Sequence, residues 1–153
     1  MGGDNRDVLE VLKLELEFLK TGGYVRSPRE PWRPQFFFED SPTCMNYDCK
    51  AHPAPCVECV LMQFVPEEQR HERYACRLIR LSAAGENLDA LYRWGTQLEA
   101  EQALAGWLAA TIQQLERERA LEQAAQRRQP ESGAPAASAQ ETVKAEETKV
   151  QQS

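Results

Sequence analysis

Four cysteines lie within sixteen residues of this 153-residue chain, and their thiols are the side chains best suited to bind a metal ion. They are Cys44, Cys49, Cys56 and Cys59, and the spacing is C-x4-C-x6-C-x2-C. Zinc takes four thiolate or imidazole ligands in a tetrahedron. Because a C-x2-C step bends the chain enough to aim two sulphurs at one point, the spacing predicts a zinc site formed by these four residues.

The fourth ligand is the least constrained by spacing. Cys49 is the nearest thiol in sequence and gives a compact site. Cys76 is an alternative only if the predicted strands do not form a simple hairpin, because a hairpin would place it too far from Cys59 to share a metal. His52 is another alternative, because imidazole nitrogen binds zinc well. As a buried small hydrophobe, Cys76 also fits its apolar neighbours without any metal.

Two other chemistries use the same residue types. An iron–sulphur cluster also takes four cysteines, but the spacing matches neither common ferredoxin pattern. A redox dithiol at Cys56 and Cys59 would need a lowered thiol pKa, and Glu58 between them disfavours a thiolate. A structural metal site is therefore the first expectation, and an iron–sulphur or dithiol redox protein is the alternative.

The composition and motif content of the chain disfavour several classes of protein. The net charge of −6 disfavours non-specific binding to nucleic acid, which relies on basic surface. No apolar run reaches the roughly 20 residues of a membrane helix, and the first residues lack the apolar core of a signal peptide. No catalytic motif or phosphate-binding loop occurs. We therefore expect a cytoplasmic protein that is not an enzyme.

The periodicity of apolar residues predicts the elements that carry the cysteines. An amphipathic helix is expected from Asp4 to Lys20, capped by Asp4 or Asn5 and stopped at Gly22-Gly23. Three segments are typical of strands in a small antiparallel sheet: Phe36–Glu39, Val60–Val65 and Tyr74–Leu81. Pairing of the first two would bring Cys44 beside Cys59.

The C-terminal half is predicted to be helical and then disordered. A short helix around Leu88–Trp94 ends at Gly95, and Thr96 with Glu99 forms a capping box that starts a long helix near Gln97. Its apolar stripe fails after Leu115. Residues 129–153 are rich in Pro, Ala, Ser, Gln and Glu, a composition that does not sustain a packed core. The predicted organisation is one α+β domain over residues 4–128 and a disordered tail over 129–153.

The order of motifs resembles that of short bacterial proteins of unknown function. It runs ELEFLKTGGY, PW, FEDSPTC and PCVECVLMQFVP, followed by Cys76. The resemblance covers roughly residues 8 to 115 and implies a soluble standalone domain, with no activity attached. The sequence thus favours a small cytoplasmic binding module stabilised by zinc, whose partner is another protein or a second copy of the chain.

Overall fold

The computed structural model describes residues 4–25, 27–31, 34–49, 51 and 53–128, and within them the chain is helical. The α-helices are α1 (Val8–Lys20), α2 (Leu88–Trp94) and α3 (Gln97–Arg128). Short 3₁₀ helices lie at Cys56–Glu58, Val60–Phe64, Glu67–Gln69 and Ala75–Leu78. Contacts divide the chain into two compact units, Met1–Leu115 and Glu116–Ser153. The predicted disordered tail, residues 129–153, lies outside the described residues.

The N-terminal helix begins later than the sequence predicts. Asp7, rather than Asp4 or Asn5, is its N-cap, and the Asp7 carboxylate accepts a hydrogen bond from the Leu9 N–H at 3.2 Å. The predicted left-handed stop is confirmed at Gly22, whose φ is 83°. After this turn the Tyr24 ring packs edge-on against Phe18, with 4.9 Å between the ring centroids.

The predicted antiparallel sheet is wrong, because the described residues contain no β-strand. Phe36–Glu39 lies in a turn closed by a 3.0 Å bond from the Asp40 N–H to the Phe36 carbonyl. The other two predicted strands, Val60–Val65 and Tyr74–Leu81, instead contain the 3₁₀ helices Val60–Phe64 and Ala75–Leu78. Backbone groups that bond three residues along their own chain cannot also form a ladder with a neighbouring strand. The fold class is therefore helical, not α+β.

The two C-terminal helices begin where the sequence predicts. The Asn87 side chain caps α2 by accepting from the Ala90 N–H at 2.9 Å. The capping box of α3 is confirmed in both directions: the Glu99 N–H donates to Thr96 Oγ1, and the Thr96 N–H donates to Glu99 Oε2, each at 3.0 Å. Both bonds satisfy backbone donors that the first helical turn leaves free.

The core of the first unit contains buried side chains from α1, from the 3₁₀ helices Val60–Phe64 and Ala75–Leu78, from α2 and from α3. The Trp107 ring of α3 packs edge-on against Phe64, with 5.1 Å between the ring centroids. This contact places α3 against the Val60–Phe64 helix. The largest fully buried apolar side chains are Phe37, Phe38, Leu12, Leu61, Ile79, Leu88, Leu104, Leu108 and Val65. In the second unit, no residue from 116 to 128 is buried, as expected from the loss of the apolar stripe after Leu115.

Candidate metal centre

Cys44 lies in a run of tight turns between Ser41 and Cys49. Its N–H donates to the Ser41 carbonyl at 3.1 Å, and its carbonyl accepts from the Tyr47 N–H at 3.0 Å. The Asn46 N–H points at the Cys44 sulphur, 3.4 Å away. A backbone N–H directed at a cysteine sulphur stabilises the thiolate form, which is the form that binds a metal.

The C-x2-C pair forms a second turn of similar design. The Cys59 N–H donates to the Cys56 carbonyl at 2.9 Å, which closes the 3₁₀ turn and holds the two residues near each other. The Leu61 N–H donates to the Cys59 sulphur at 3.4 Å, just as the Asn46 N–H donates to the Cys44 sulphur. Both cysteine turns therefore present a sulphur together with a backbone donor two residues later.

Cys76 approaches from a third segment. It is buried in the 3₁₀ helix Ala75–Leu78, which contacts both the Cys56–Glu58 and the Val60–Phe64 helices. The Cys56 thiol donates to the Arg73 carbonyl at 2.9 Å, which ties the C-x2-C turn to the chain just before Cys76. Residues far apart in sequence are thus brought together by packing of the 3₁₀ helices.

One small cavity joins these three segments. Its volume is about 20 Å³, enough for a single water-sized sphere, and four thiols line it: Cys44, Cys56, Cys59 and Cys76. The other residues on its wall are Phe38, Glu39, Met45, Asn46, Leu61, Met62 and Tyr74. Within the described part of the chain, no three Cys, His, Asp or Glu side chains already stand in a geometry that holds a metal ion. The cavity wall defines a set of thiols around one space, not a finished coordination sphere.

The predicted ligands fall into three groups. Cys44, Cys56 and Cys59 line the cavity, and so does Cys76, the alternative fourth ligand. Cys49 is exposed and is not on the cavity wall. His52 lies outside the described residues. Spacing alone favours Cys49 because it is close in sequence, whereas packing of the Ala75–Leu78 helix brings in Cys76 instead.

Burial sets the protonation of the thiols. Loss of hydration raises the pKa of Cys59 to about 11, although the hydrogen bond from Leu61 acts in the opposite direction. Burial also raises the pKa of Cys44 and Cys56, and that of Cys76 well above its usual range. All four groups are therefore neutral thiols at pH 7 in the absence of a cation, and a metal ion would displace their protons on binding.

The first residues of the described chain link two of the cysteine turns. The Arg6 guanidinium donates through Nη2 to Asp4 Oδ2 and through Nη1 to the Thr43 carbonyl, both at 2.6 Å. Asp4 in turn accepts from the Val60 N–H at 3.0 Å, and its own N–H donates to the Glu58 carbonyl at 3.0 Å. Arg6 thus binds the residue before Cys44, and Asp4 binds the residues on either side of Cys59. Sequence reasoning treated Asp4 only as a cap and overlooked Arg6, because neither contact is local.

An ion pair between Arg77 and Glu39 lies at the wall of the cavity. Arg77 donates to both oxygens of Glu39, Nε to Oε2 at 2.6 Å and Nη2 to Oε1 at 2.9 Å. The guanidinium also lies over the Phe36 ring, 4.2 Å from its centroid. Burial is the main cause that raises the pKa of Cys44, Cys56 and Cys76, and the negative charge of Glu39 on the cavity wall acts in the same direction despite its pairing with Arg77.

A buried glutamate, Glu15, accepts hydrogen bonds from two residues just before Cys44. Glu15 is fully buried on α1, and its Oε1 accepts from Ser41 Oγ at 2.6 Å and from Thr43 Oγ1 at 2.8 Å. Its Oε2 accepts from the Tyr24 hydroxyl at 2.5 Å. Burial, together with the charge of Glu15, raises the pKa of Tyr24 far above its usual range. The sequence carries a signal for this group: Glu15 lies three residues after Leu12 and four before Leu19, on the apolar stripe of α1.

Comparison with known protein families, with curated proteins and with solved structures finds no significant match to this chain. Among the described residues, no helix has the length and apolar character needed to cross a membrane.

Proposed function

We propose that this chain is a small cytoplasmic binding module stabilised by one zinc ion, which Cys44, Cys56, Cys59 and Cys76 hold. The observation that carries the proposal is the single cavity of about 20 Å³ lined by these four thiols. Four thiolates complete a tetrahedral zinc site and leave no open position, so the ion is structural. This set keeps three of the ligands expected from spacing and replaces Cys49 by Cys76.

The size of the cavity favours a single ion over a cluster. A volume of about 20 Å³ matches one water-sized sphere, whereas an iron–sulphur cluster brings several iron and sulphide atoms. The surrounding backbone also suits thiolates, because the Asn46 and Leu61 N–H groups face the sulphurs of Cys44 and Cys59. The cavity volume therefore favours a single zinc ion, and the two N–H groups favour the thiolate ligands that the ion requires.

Redox chemistry by the same thiols has less support. A catalytic dithiol depends on a lowered pKa that makes one sulphur nucleophilic at neutral pH. Burial has the opposite effect here and raises the pKa of Cys59 to about 11. These sulphurs would become thiolates at pH 7 only on binding a cation.

The test is metal analysis of the full chain purified under reducing conditions. We expect about one zinc per chain, colourless protein, and a lower melting temperature after chelation, because an ion that binds only the folded state stabilises it. The proposal would be contradicted if the purified protein held no metal and its melting temperature changed with neither added zinc nor added chelator. Brown protein with visible absorbance would replace it by an iron–sulphur assignment.

Single cysteine variants identify the ligands. Replacing Cys44, Cys56, Cys59 or Cys76 by Ser is expected to abolish stoichiometric zinc binding and to lower the melting temperature. Cys49→Ser is the matched control, because Cys49 is exposed and does not line the cavity. This variant should bind zinc and melt as the wild type does. Loss of zinc in Cys49→Ser with retention in Cys76→Ser would restore the ligand set expected from spacing.

The partner of the module is proposed to be another protein or a second copy of the chain. Light scattering of the zinc-loaded protein over a range of concentrations measures the second case directly. A mass that rises to twice that of the chain would identify self-association, and a constant monomer mass would leave a different protein as the partner.

A further inference from the structure

The four cysteines on the cavity wall differ in how the backbone around them is held. Three of them lie in a 3₁₀ helix or at the N-cap of one, so hydrogen bonds between nearby backbone groups hold them in place. Cys44 lies instead at the end of a turn over residues 41–44, which is closed by a bond from the Cys44 N–H to the Ser41 carbonyl at 3.1 Å. The position of Cys44 therefore depends more on side-chain contacts made by the residues of this turn.

A fully buried hydrogen-bond network holds the 41–44 turn. Thr43 Oγ1 donates to Glu15 Oε1 at 2.8 Å, and the Ser41 hydroxyl donates to the same oxygen at 2.6 Å. The Ser41 hydroxyl oxygen also accepts from the Thr43 N–H at 3.1 Å, so the network binds the backbone of the turn as well as its side chains. Glu15, Ser41 and Thr43 are each 0% exposed, and a bond lost here is therefore not replaced by one to water.

We propose that this network positions the ligand Cys44: through the bond from the Thr43 hydroxyl to Glu15, it holds the 41–44 turn in its binding shape before a metal ion arrives. The inference rests on the proposed zinc site and goes beyond it, because Glu15, Ser41 and Thr43 are not ligands. A ligand that is already held in place loses less conformational freedom on binding, so the affinity for the ion is higher. Groups that orient metal ligands in this way are a large part of the affinity of many metal sites.

Two substitutions of Thr43 separate its hydroxyl from its shape. Thr43→Val keeps the branched shape and removes the hydroxyl, whereas Thr43→Ser keeps the hydroxyl and removes the methyl group. Both retain the backbone carbonyl of residue 43, which accepts from Arg6. The control is Tyr92→Phe, which removes a hydroxyl that accepts from the Phe37 N–H at 2.8 Å, at a residue that does not line the cavity.

The zinc affinity of each full-length variant is measured by competition with a coloured chelator, and urea unfolding of the metal-free variants measures their stability. Thr43→Val is expected to weaken zinc binding about tenfold, in the range typical of residues that support metal ligands. Thr43→Ser should recover most of the affinity, because its hydroxyl can still donate to Glu15. Tyr92→Phe should be less stable than the wild type and bind zinc equally well.

The order of the two Thr43 variants distinguishes positioning from packing. A role in packing alone would be served better by valine, which keeps the methyl group that serine lacks. The inference would be overturned if Thr43→Val bound zinc as the wild type does, if Thr43→Ser showed no recovery, or if Tyr92→Phe lost as much affinity as Thr43→Val.

Amide hydrogen exchange of the wild type, with chelator and reductant present, tests the inference even if Thr43→Val fails to fold. The N–H groups of Thr43 and Cys44 both donate to Ser41, so a turn that is held without a metal ion protects them from exchange. They should exchange much more slowly than in the chain unfolded by urea, and exchange at the unfolded rate would overturn the inference. A wild-type chain that binds no zinc would overturn the proposed function itself, and with it the role of Cys44 as a ligand.

Discussion

Glu15 is bound to the segment just before Cys44 through the hydroxyl groups of Ser41 and Thr43. A carboxylate without hydrogen bonds would be very unfavourable at a fully buried position. Three hydroxyl groups donate to it, those of Tyr24, Ser41 and Thr43, and together they join α1 to the segment that ends at Cys44. Removal of the carboxylate would leave these buried donors without their acceptor, so the cost should exceed that of an ordinary side-chain deletion.

We therefore expect Glu15→Ala to lower the free energy of unfolding by at least about 3 kcal/mol, as lost charged hydrogen bonds and unsatisfied donors combine. Urea denaturation of the metal-free chain measures it. The matched control is Glu17→Ala, an exposed glutamate on the same helix, which should change the stability by no more than about 0.5 kcal/mol. Equal effects of the two substitutions would show that the buried network contributes little.

Asp4 makes the free energy of unfolding depend on pH under acidic conditions. Hydrogen bonds from Arg6 are the main cause that lowers its pKa to about 2, against an ordinary value of 3.8. The folded state therefore binds this proton less readily than the unfolded state. The stabilisation is complete above about pH 4 and is lost as the pH falls towards 2.

The measurement compares the wild type with Asp4→Asn in urea at several pH values, with chelator and reductant present. We expect the wild type to be more stable above pH 4 and the difference to shrink steadily between pH 4 and pH 2. A difference that stays constant through this interval would mean that Asp4 does not titrate as its contacts with Arg6 and Val60 require.

At the scale of elements, the sequence predicts helices well because their signals are local. Thr96 and Glu99 lie within one turn of each other, and Asn87 caps α2 through a residue three positions on. The start of α1 is less certain from sequence, since Asp4, Asn5 and Asp7 are all suitable caps and Asp4 is used by Arg6 and Val60 instead. The choice among these caps is made by tertiary contacts.

The predicted strands fail for a physical reason. Short apolar runs such as Val60–Val65 are equally compatible with a strand and with a buried helical turn, and periodicity does not separate the two over so few residues. Here each run satisfies its backbone locally, for example through the 3.0 Å bonds from Met62 to Cys59 and from Val65 to Met62. Cysteine sulphurs that accept from nearby N–H groups add to this local preference, and the sequence pattern does not reveal them.

Alanine substitutions at two glycines, Gly22 and Gly106, should have opposite effects on the free energy of unfolding. Gly22 ends α1 with a φ of 83°, and an alanine there should cost about 1–2 kcal/mol because L-residues are strained in that region. Gly106 lies inside α3, where an added Cβ meets nothing within 4 Å, so alanine should stabilise the chain by about 0.5–1 kcal/mol. Thermal or urea unfolding checks both, and a destabilising Gly106→Ala would contradict the placement of that glycine on an open helix face.

At the scale of the whole molecule, the cavity lined by four cysteines shows what spacing does and does not predict. Cys44, Cys56 and Cys59 could be chosen from sequence because they lie in a short segment rich in turns. Cys76 could not be preferred over Cys49, since its place on the cavity wall depends on the packing of Ala75–Leu78 against the earlier 3₁₀ helices. Long-range packing of this kind has no signature in residue spacing.

The first unit should be sufficient for both folding and zinc binding. All five cysteines precede residue 116, and the buried residues of α3 are Ala100, Leu104, Leu108 and Ile112. No residue from 116 to 128 is buried, so that part of α3 adds little hydrophobic stabilisation. We expect a chain ending at Leu115 to unfold cooperatively and to bind one zinc ion with the affinity of the full chain.

A chain that ends at Trp107 is the control, because it lacks Leu108 and Ile112 and loses apolar area that the core requires. Losing two buried aliphatic side chains should cost several kcal/mol, on the order of 2–5 kcal/mol for each by analogy with substitution to alanine. Such a loss is a large part of the stability of a small domain. Circular dichroism melting and chelator competition on the two truncated chains provide the comparison. If the chain ending at Leu115 were unfolded, the exposed half of α3 would have to stabilise the fold in a way that its side-chain burial does not account for.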